Sequence, residues 1–175
     1  MKIMLLPVCD YFKTRKRIPQ KILVSLIPAL LVLAYSLFFN VRQGIDIAEV
    51  FANFVNVQIS AVAIFISFSI AIITILVSAD NANINRLKEQ EAGDKDYKLL
   101  KGKRLTLFQV LLSNITYNVL IEIIYLVILI GYIFLQLVLP IGALKYLSAI
   151  SVFFIAHILH ILVESVVQMY LTFWK

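Results

Sequence analysis

Residues 54–79 read FVNVQISAVAIFISFSIAIITILVSA, a run without a single charged side chain. A helix needs roughly 20 apolar residues to cross a hydrocarbon core of about 30 Å, and this run exceeds that. Three more apolar runs flank it, over residues 22–40, 107–139 and 146–174. The 175-residue chain is 62% hydrophobic and only 15% charged, with a mean hydropathy of +0.95. That composition leaves too little polar surface to cover a soluble domain. The reading is an all-α, polytopic membrane protein with four transmembrane helices, forming one domain over residues 1–175.

Between the apolar runs, the longest polar stretch is residues 80–104. It is too short for an independent domain, which usually needs about 50 residues. A soluble nucleotidyltransferase, ATPase or nuclease module has no room. Cys9 is the only cysteine, which excludes an intrachain disulfide and a multi-cysteine metal site. The net charge is +6, and orientation and anionic lipid account for it better than nucleic acid does. No cleaved leader is expected. The first apolar run is longer than a signal core, follows a basic segment and lacks an A-x-A site.

Lysine and arginine set the orientation. Six precede the first span, seven lie between spans two and three, and Lys175 ends the chain; only Arg42 and Lys145 fall in the other two loops. Fourteen against two predicts cytoplasmic termini and a cytoplasmic middle loop. Residues 1–21 read as an interfacial anchor, or a docking segment for a cytoplasmic protein. Arg15, Lys16 and Arg17 there, with Lys101, Lys103 and Arg104, are the expected contacts to anionic headgroups or to that partner.

Pro28 should kink the first span. The short link over residues 41–50 predicts an antiparallel hairpin of spans one and two. Span two is expected to continue as a solvated helix through residues 80–91, stopping at Gly93. Pro140 should end span three.

The apolar runs carry polar residues in patterns. Asn53, Ser60, Ser67 and Thr74 recur every seven residues, which suits a seam of left-handed helix packing, or a pore-lining face. Asn114, Asn118, Tyr125, Tyr132 and Gln136 share one face of span three, with Glu122 beside them. His157, His160, Glu164 and Gln168 share an arc of span four. Intramembrane carboxylates are costly and mark candidate functional sites. Taking Pro140 and Lys145 as matched ends puts Glu122 and Glu164 at one depth. With Tyr125 and the two histidines they form either an interhelical hydrogen-bonded network or a proton or cation pathway. The His-x-x-His-x-x-x-Glu spacing can converge on a metal, but two histidines without a second ligand cluster argue against one. A haem would require a dimer. No Gly-rich phosphate loop, G-x-S-x-G or H-E-x-x-H occurs, so neither catalytic residues nor cofactors are expected.

In size, in its two cytoplasmic ends and in the charged loop after span two, the chain resembles the small four-helix membrane subunits of bacterial and phage defence systems. The resemblance implies a multi-pass subunit of the bacterial cytoplasmic (inner) membrane that perturbs the membrane, or senses damage and signals to a cytoplasmic partner. The expected function is thus a non-enzymatic, homo-oligomeric membrane subunit that forms or gates a pore or senses membrane state. A small proton- or cation-coupled transporter and a membrane scaffold are the alternatives.

Overall fold

The computed structural model describes residues 6–38, 45–79, 82–93, 97–99 and 102–174, with side chains to residue 171. They form six helices, α1 (Leu6–Thr14), α2 (Ile18–Phe38), α3 (Ile47–Ser78), α4 (Ala82–Glu89), α5 (Leu107–Leu135) and α6 (Ile141–Trp174). Four of them, α2, α3, α5 and α6, are long and apolar enough to cross a membrane.

Local chemistry fixes several ends. The Asp46 carboxylate accepts from the amides of Ala48 (2.9 Å) and Glu49 (3.3 Å), capping α3. Thr106 and Gln109 exchange side-chain and backbone bonds at the start of α5, a reciprocal capping box. At Pro28 the missing amide leaves the Val24 carbonyl without its helical donor, yet α2 runs on to Phe38. Span three was expected to reach residue 139. Instead α5 stops at Leu135 and residues 136–138 form a turn, because a residue that precedes proline avoids the helical region. Lys145, expected just outside span four, lies in the second turn of α6.

The expected continuous helix after span two is broken. Ala79 is extended (ψ 125°) and α4 begins anew at Ala82. The break lets α4 fold back, so that Ile84 and Leu87 pack against Ile72 and Leu76 of α3 and Leu111 and Ile115 of α5. A straight continuation would have left both side chains in solvent.

Nor do α2 and α3 form a hairpin. Among the described residues α2 packs on α6, α6 on α5 and α5 on α3, giving the lateral order α2–α6–α5–α3. Side-chain size explains the pairing. Ser25 and Ala29 are the buried residues of α2, and such small groups let its backbone approach α6 closely. On α3 the buried face is Phe51, Val55, Gln58, Val62, Ser69, Ile72 and Leu76. Its outer part meets Tyr125, Leu129 and Tyr132 of α5.

One end of the bundle is capped, where α2 and α5 begin and α3 and α6 finish. The cap consists of α1, α4 and the chain leading into α5. Lys98 donates its amide to the Thr14 carbonyl (2.8 Å), Ala92 to Leu105 (2.8 Å) and Leu107 to Gln90 (2.9 Å). Ala92 and Leu105 pack on Val110. Among its described residues the middle segment is thus held to the bundle at Ile84, Leu87 and Ala92, while most of the others are exposed. On α1 Tyr11 and Thr14 are buried against the bundle, as is Arg15 just after it, while Leu6 and Phe12 are exposed.

Candidate functional site

Polar side chains expected on spans three and four are drawn together beneath this cap, but in separate groups. The first centres on Arg15, which is 2% exposed. Its Nη2 donates to Asn114 Oδ1 (2.5 Å) and the Val110 carbonyl (3.1 Å), its Nε to Asn114 Oδ1 (3.1 Å) and its Nη1 to Thr14 Oγ1 (3.1 Å). The guanidinium also lies over the rings of Tyr97 (4.6 Å) and Tyr11 (5.2 Å). Burial lowers the Arg15 pKa, which the two tyrosines and Glu164 oppose. Burial likewise raises the Tyr11 pKa, with Glu164 adding to it. Arg15 was expected at a lipid or partner surface, and that assignment is corrected. It joins three chain segments, since a short segment leading into α2 is held against α5 by its neighbour Tyr11, which stacks on Tyr117 at 4.0 Å. Lys16, Arg17, Lys103 and Arg104 are exposed, and Arg104 pairs with Glu91 at 3.2 Å. Lys101 lies outside the described residues.

The second group lines a cavity of about 340 Å³ between α2, α6 and the cap, formed by Arg17, Gln20, Lys21, Val24, Tyr97, His160, Glu164 and Gln168. The Lys21 ammonium donates to both Glu164 oxygens, at 2.6 and 2.5 Å. Gln168 Nε2 donates to the Tyr97 hydroxyl (2.5 Å) and to Glu164 Oε1 (3.3 Å). Its Oε1 accepts from Asn114 Nδ2 (3.4 Å), linking this group to the first.

His157 is turned away from His160 and Glu164. Its Nδ1 lies 3.2 Å from Ser25 Oγ and its Nε2 3.1 Å from the Tyr117 hydroxyl. A neutral imidazole has one donor and one acceptor nitrogen, and hydroxyls can serve either. The His-x-x-His-x-x-x-Glu spacing therefore does not converge, and among the described residues no three His, Cys, Asp or Glu groups gather around one point.

Further along the bundle Glu122 is fully buried on α5. Its Oε1 accepts from Ser69 Oγ (3.2 Å) and Asn118 Nδ2 (2.8 Å). Among the described residues Glu122 Oε2 and Asn118 Oδ1 have no hydrogen-bond partner. Tyr125 donates to Gln58 Oε1 and lies 3.1 Å from the Ser151 carbonyl. The Asn114–Gln168 and Tyr125–Ser151 contacts set the register of α5 on α6. In that register Glu164 sits nearer the cap than Glu122 by about two helical turns, roughly 10 Å. The two acids do not share a level. Matching Pro140 to Lys145 misplaced them, because α5 stops at Leu135 and α6 starts at Ile141.

The heptad series on α3 also lies elsewhere than a packing seam within the protomer. Asn53, Ser60, Ser67 and Thr74 are all exposed, as are Asn56, Ala63, Ala71 and Ser78 beside them. The hydroxyls of Ser60, Ser67, Thr74 and Ser78 donate to the carbonyls four residues back, at 2.6–3.2 Å. The face of α3 that does pack carries the partners missed from the sequence, Gln58 and Ser69. A second seven-residue rhythm, Val55, Val62, Ser69 and Leu76, was the available signal. Lys21 and Ser25 had a weaker one, being polar residues on the one narrow face where α2 carries small side chains.

No protein-family model, curated protein or solved structure matches the chain.

Proposed function

We propose that the chain is a membrane-embedded, non-enzymatic subunit that assembles with copies of itself through the outer face of α3 and forms or gates a pore. In this reading α2, α3, α5 and α6 span a bacterial cytoplasmic membrane. The cap, the termini and the middle segment face the cytoplasm, where the exposed basic residues of the cap meet anionic lipid or a cytoplasmic protein. The observation that carries the reading is the α3 stripe. Asn53, Ser60, Ser67 and Thr74 are exposed along the most apolar of the four helices. In a bilayer a face of small and hydroxylated residues packs well against a second helix and can also be wetted. Layout resemblance to the membrane subunits of defence systems supports the same class, as an analogy of architecture alone.

A cysteine pair reports on the assembly. Ser67→Cys in a Cys9→Ser background is expected to form a disulfide-linked dimer in native membranes on mild oxidation, while Val127→Cys, exposed on α5, is not. Strictly monomeric Ser67→Cys protein refutes the assembly. Ion flux into liposomes then separates pore from scaffold. A stripe substitution such as Thr74→Val should change the conductance of wild type, and zero flux under every trigger gives the scaffold reading.

A second reading, a proton- or cation-coupled carrier, is favoured by one feature: the buried Glu122 carboxylate, which has an unpartnered oxygen among the described residues. Under that reading Glu122→Gln abolishes coupled flux with the assembly intact.

A further inference from the structure

The hydrogen bonds at Glu122 are distributed unevenly, and its two oxygens are not alike. Oε1 takes both donors, Asn118 Nδ2 at 2.8 Å and Ser69 Oγ at 3.2 Å. Oε2 is buried and takes none among the described residues. An ionised carboxylate spreads its charge over both oxygens, and each of them accepts. A neutral acid has one carbonyl oxygen that accepts and one hydroxyl that donates. Oε1 has the first character and Oε2 the second. Asn118 supplies the acceptor for that hydroxyl. Its nitrogen already donates to Oε1, while its Oδ1, also buried, has no partner among the described residues. A carboxylic acid and a primary amide are complementary: the amide N–H donates to the acid carbonyl, and the acid O–H donates to the amide carbonyl. One proton on Oε2 therefore satisfies two buried oxygens that otherwise carry a desolvation penalty.

The neighbouring elements bring no charge that would stabilise an ionised Glu122. Residues 54–79 of α3, to which Ser69 belongs, include no charged side chain. On α6, His157 lies between Ser25 and Tyr117, and His160 lines the cavity with Glu164, to which Lys21 is bonded. Arg15 is bonded to Asn114, and Lys13 on α1 and Arg86 and Lys88 on α4 are exposed. A metal cation calls for a shell of oxygen ligands, whereas a proton needs only the two oxygens left over.

We propose that Glu122 and Asn118 form a proton-binding site inside the bundle, with the proton carried on Glu122 Oε2 and donated to Asn118 Oδ1, while Ser69 and the Asn118 amide hold Oε1 as the acceptor. The inference stands on the burial of this pair and needs neither the pore nor the carrier. For the carrier reading it names the ion, a proton and not a metal cation. Loss of the proton would leave a buried charge and an unserved amide oxygen at the α3–α5 contact, so the site couples proton occupancy to the packing of α3 on α5.

Infrared spectroscopy of the full chain in liposomes at neutral pH tests this. The difference between wild type and Glu122→Gln is expected to contain a protonated-carboxyl band and no carboxylate band. A carboxylate band lost with the substitution overturns the site. Ser69→Ala removes one bond from the acid carbonyl, so the same band should move to higher wavenumber; an unmoved band overturns the arrangement. Stability gives a second measurement. Glu122→Gln replaces the acid O–H by an amide N–H and keeps every bond of the pair, so its thermal midpoint in detergent should match wild type. Glu122→Leu keeps none of them and should melt lower. A Glu122→Gln protein as unstable as Glu122→Leu overturns the neutral pair. Exchanging choline for sodium or potassium in the buffer should leave the acid band in place; conversion to a carboxylate band makes this a metal-cation site and overturns the proton. Proton flux into the same liposomes keeps the readings apart. An acid band without flux refutes the carrier alone, whereas flux that is lost in Glu122→Gln, with a carboxylate band in wild type, refutes the proton site alone.

Discussion

At the residue scale, Arg15 is a cation held at 2% exposure by an amide, two other oxygens and two aromatic rings. A charge so far from water is stable only while its donors are matched. Removing it also strands the Asn114 Oδ1 that it serves. Arg15→Met keeps most of the stem and deletes the fork. The expected cost is about 2–4 kcal/mol. The loss should be local first, with α1 lifting from Tyr117 and trypsin cutting faster at Lys13 and Arg17. Arg15→Lys should rescue little, because a single ammonium cannot serve three acceptors from one plane. Wild-type cleavage kinetics in Arg15→Met would show that the cap does not depend on this side chain.

At the element scale, α3 presents two faces, and one substitution on each separates their roles. Ser69 is fully buried and donates to Glu122. Ser69→Leu overfills the α3–α5 contact and withdraws a donor from a buried carboxylate. It should cost about 2–4 kcal/mol and lower the thermal midpoint in detergent. Ser67, two positions away, is exposed and bonded only within its own helix among the described residues. Ser67→Leu should leave the midpoint close to wild type, within about 0.5 kcal/mol, yet weaken chemical crosslinking between copies. A Ser67→Leu protein that crosslinks as wild type removes this face from the assembly.

At the scale of the whole molecule, the arrangement tested is the proposed orientation, with the capped end inside the cell. Gly93 and Gly142 stand at opposite ends of the bundle, and a side chain added at either meets no atom within 4 Å. Single cysteines at these positions in a Cys9→Ser background should therefore be tolerated. A membrane-impermeant maleimide should label position 142 in intact cells and position 93 only after permeabilisation. Labelling of position 93 from outside inverts the topology and moves the basic cap to the other surface.

Sequence alone determined the number of long apolar helices and the polar face of α5. Both depend on local properties: run length against membrane thickness, and the 100° turn per residue that lines up Asn114, Asn118, Tyr125, Tyr132 and Gln136 with Glu122 beside them, all buried except Gln136, which is half-buried. Tertiary structure decided which helix meets which. Two seven-residue rhythms run along α3, and periodicity cannot tell which of them faces α5. Volume decides that: Phe51, Val55 and Val62 fill the space beside Tyr125 and Leu129, while the small stripe turns outward. Helix ends also mattered. A turn at residues 136–138 shifts α6 against α5 enough to separate Glu122 from Glu164 and give each its own partners. Arg15 and Lys21 read as surface charge, since the burial of one and the partial burial of the other depend on acceptors supplied from α5 and α6, about a hundred or more residues along the chain.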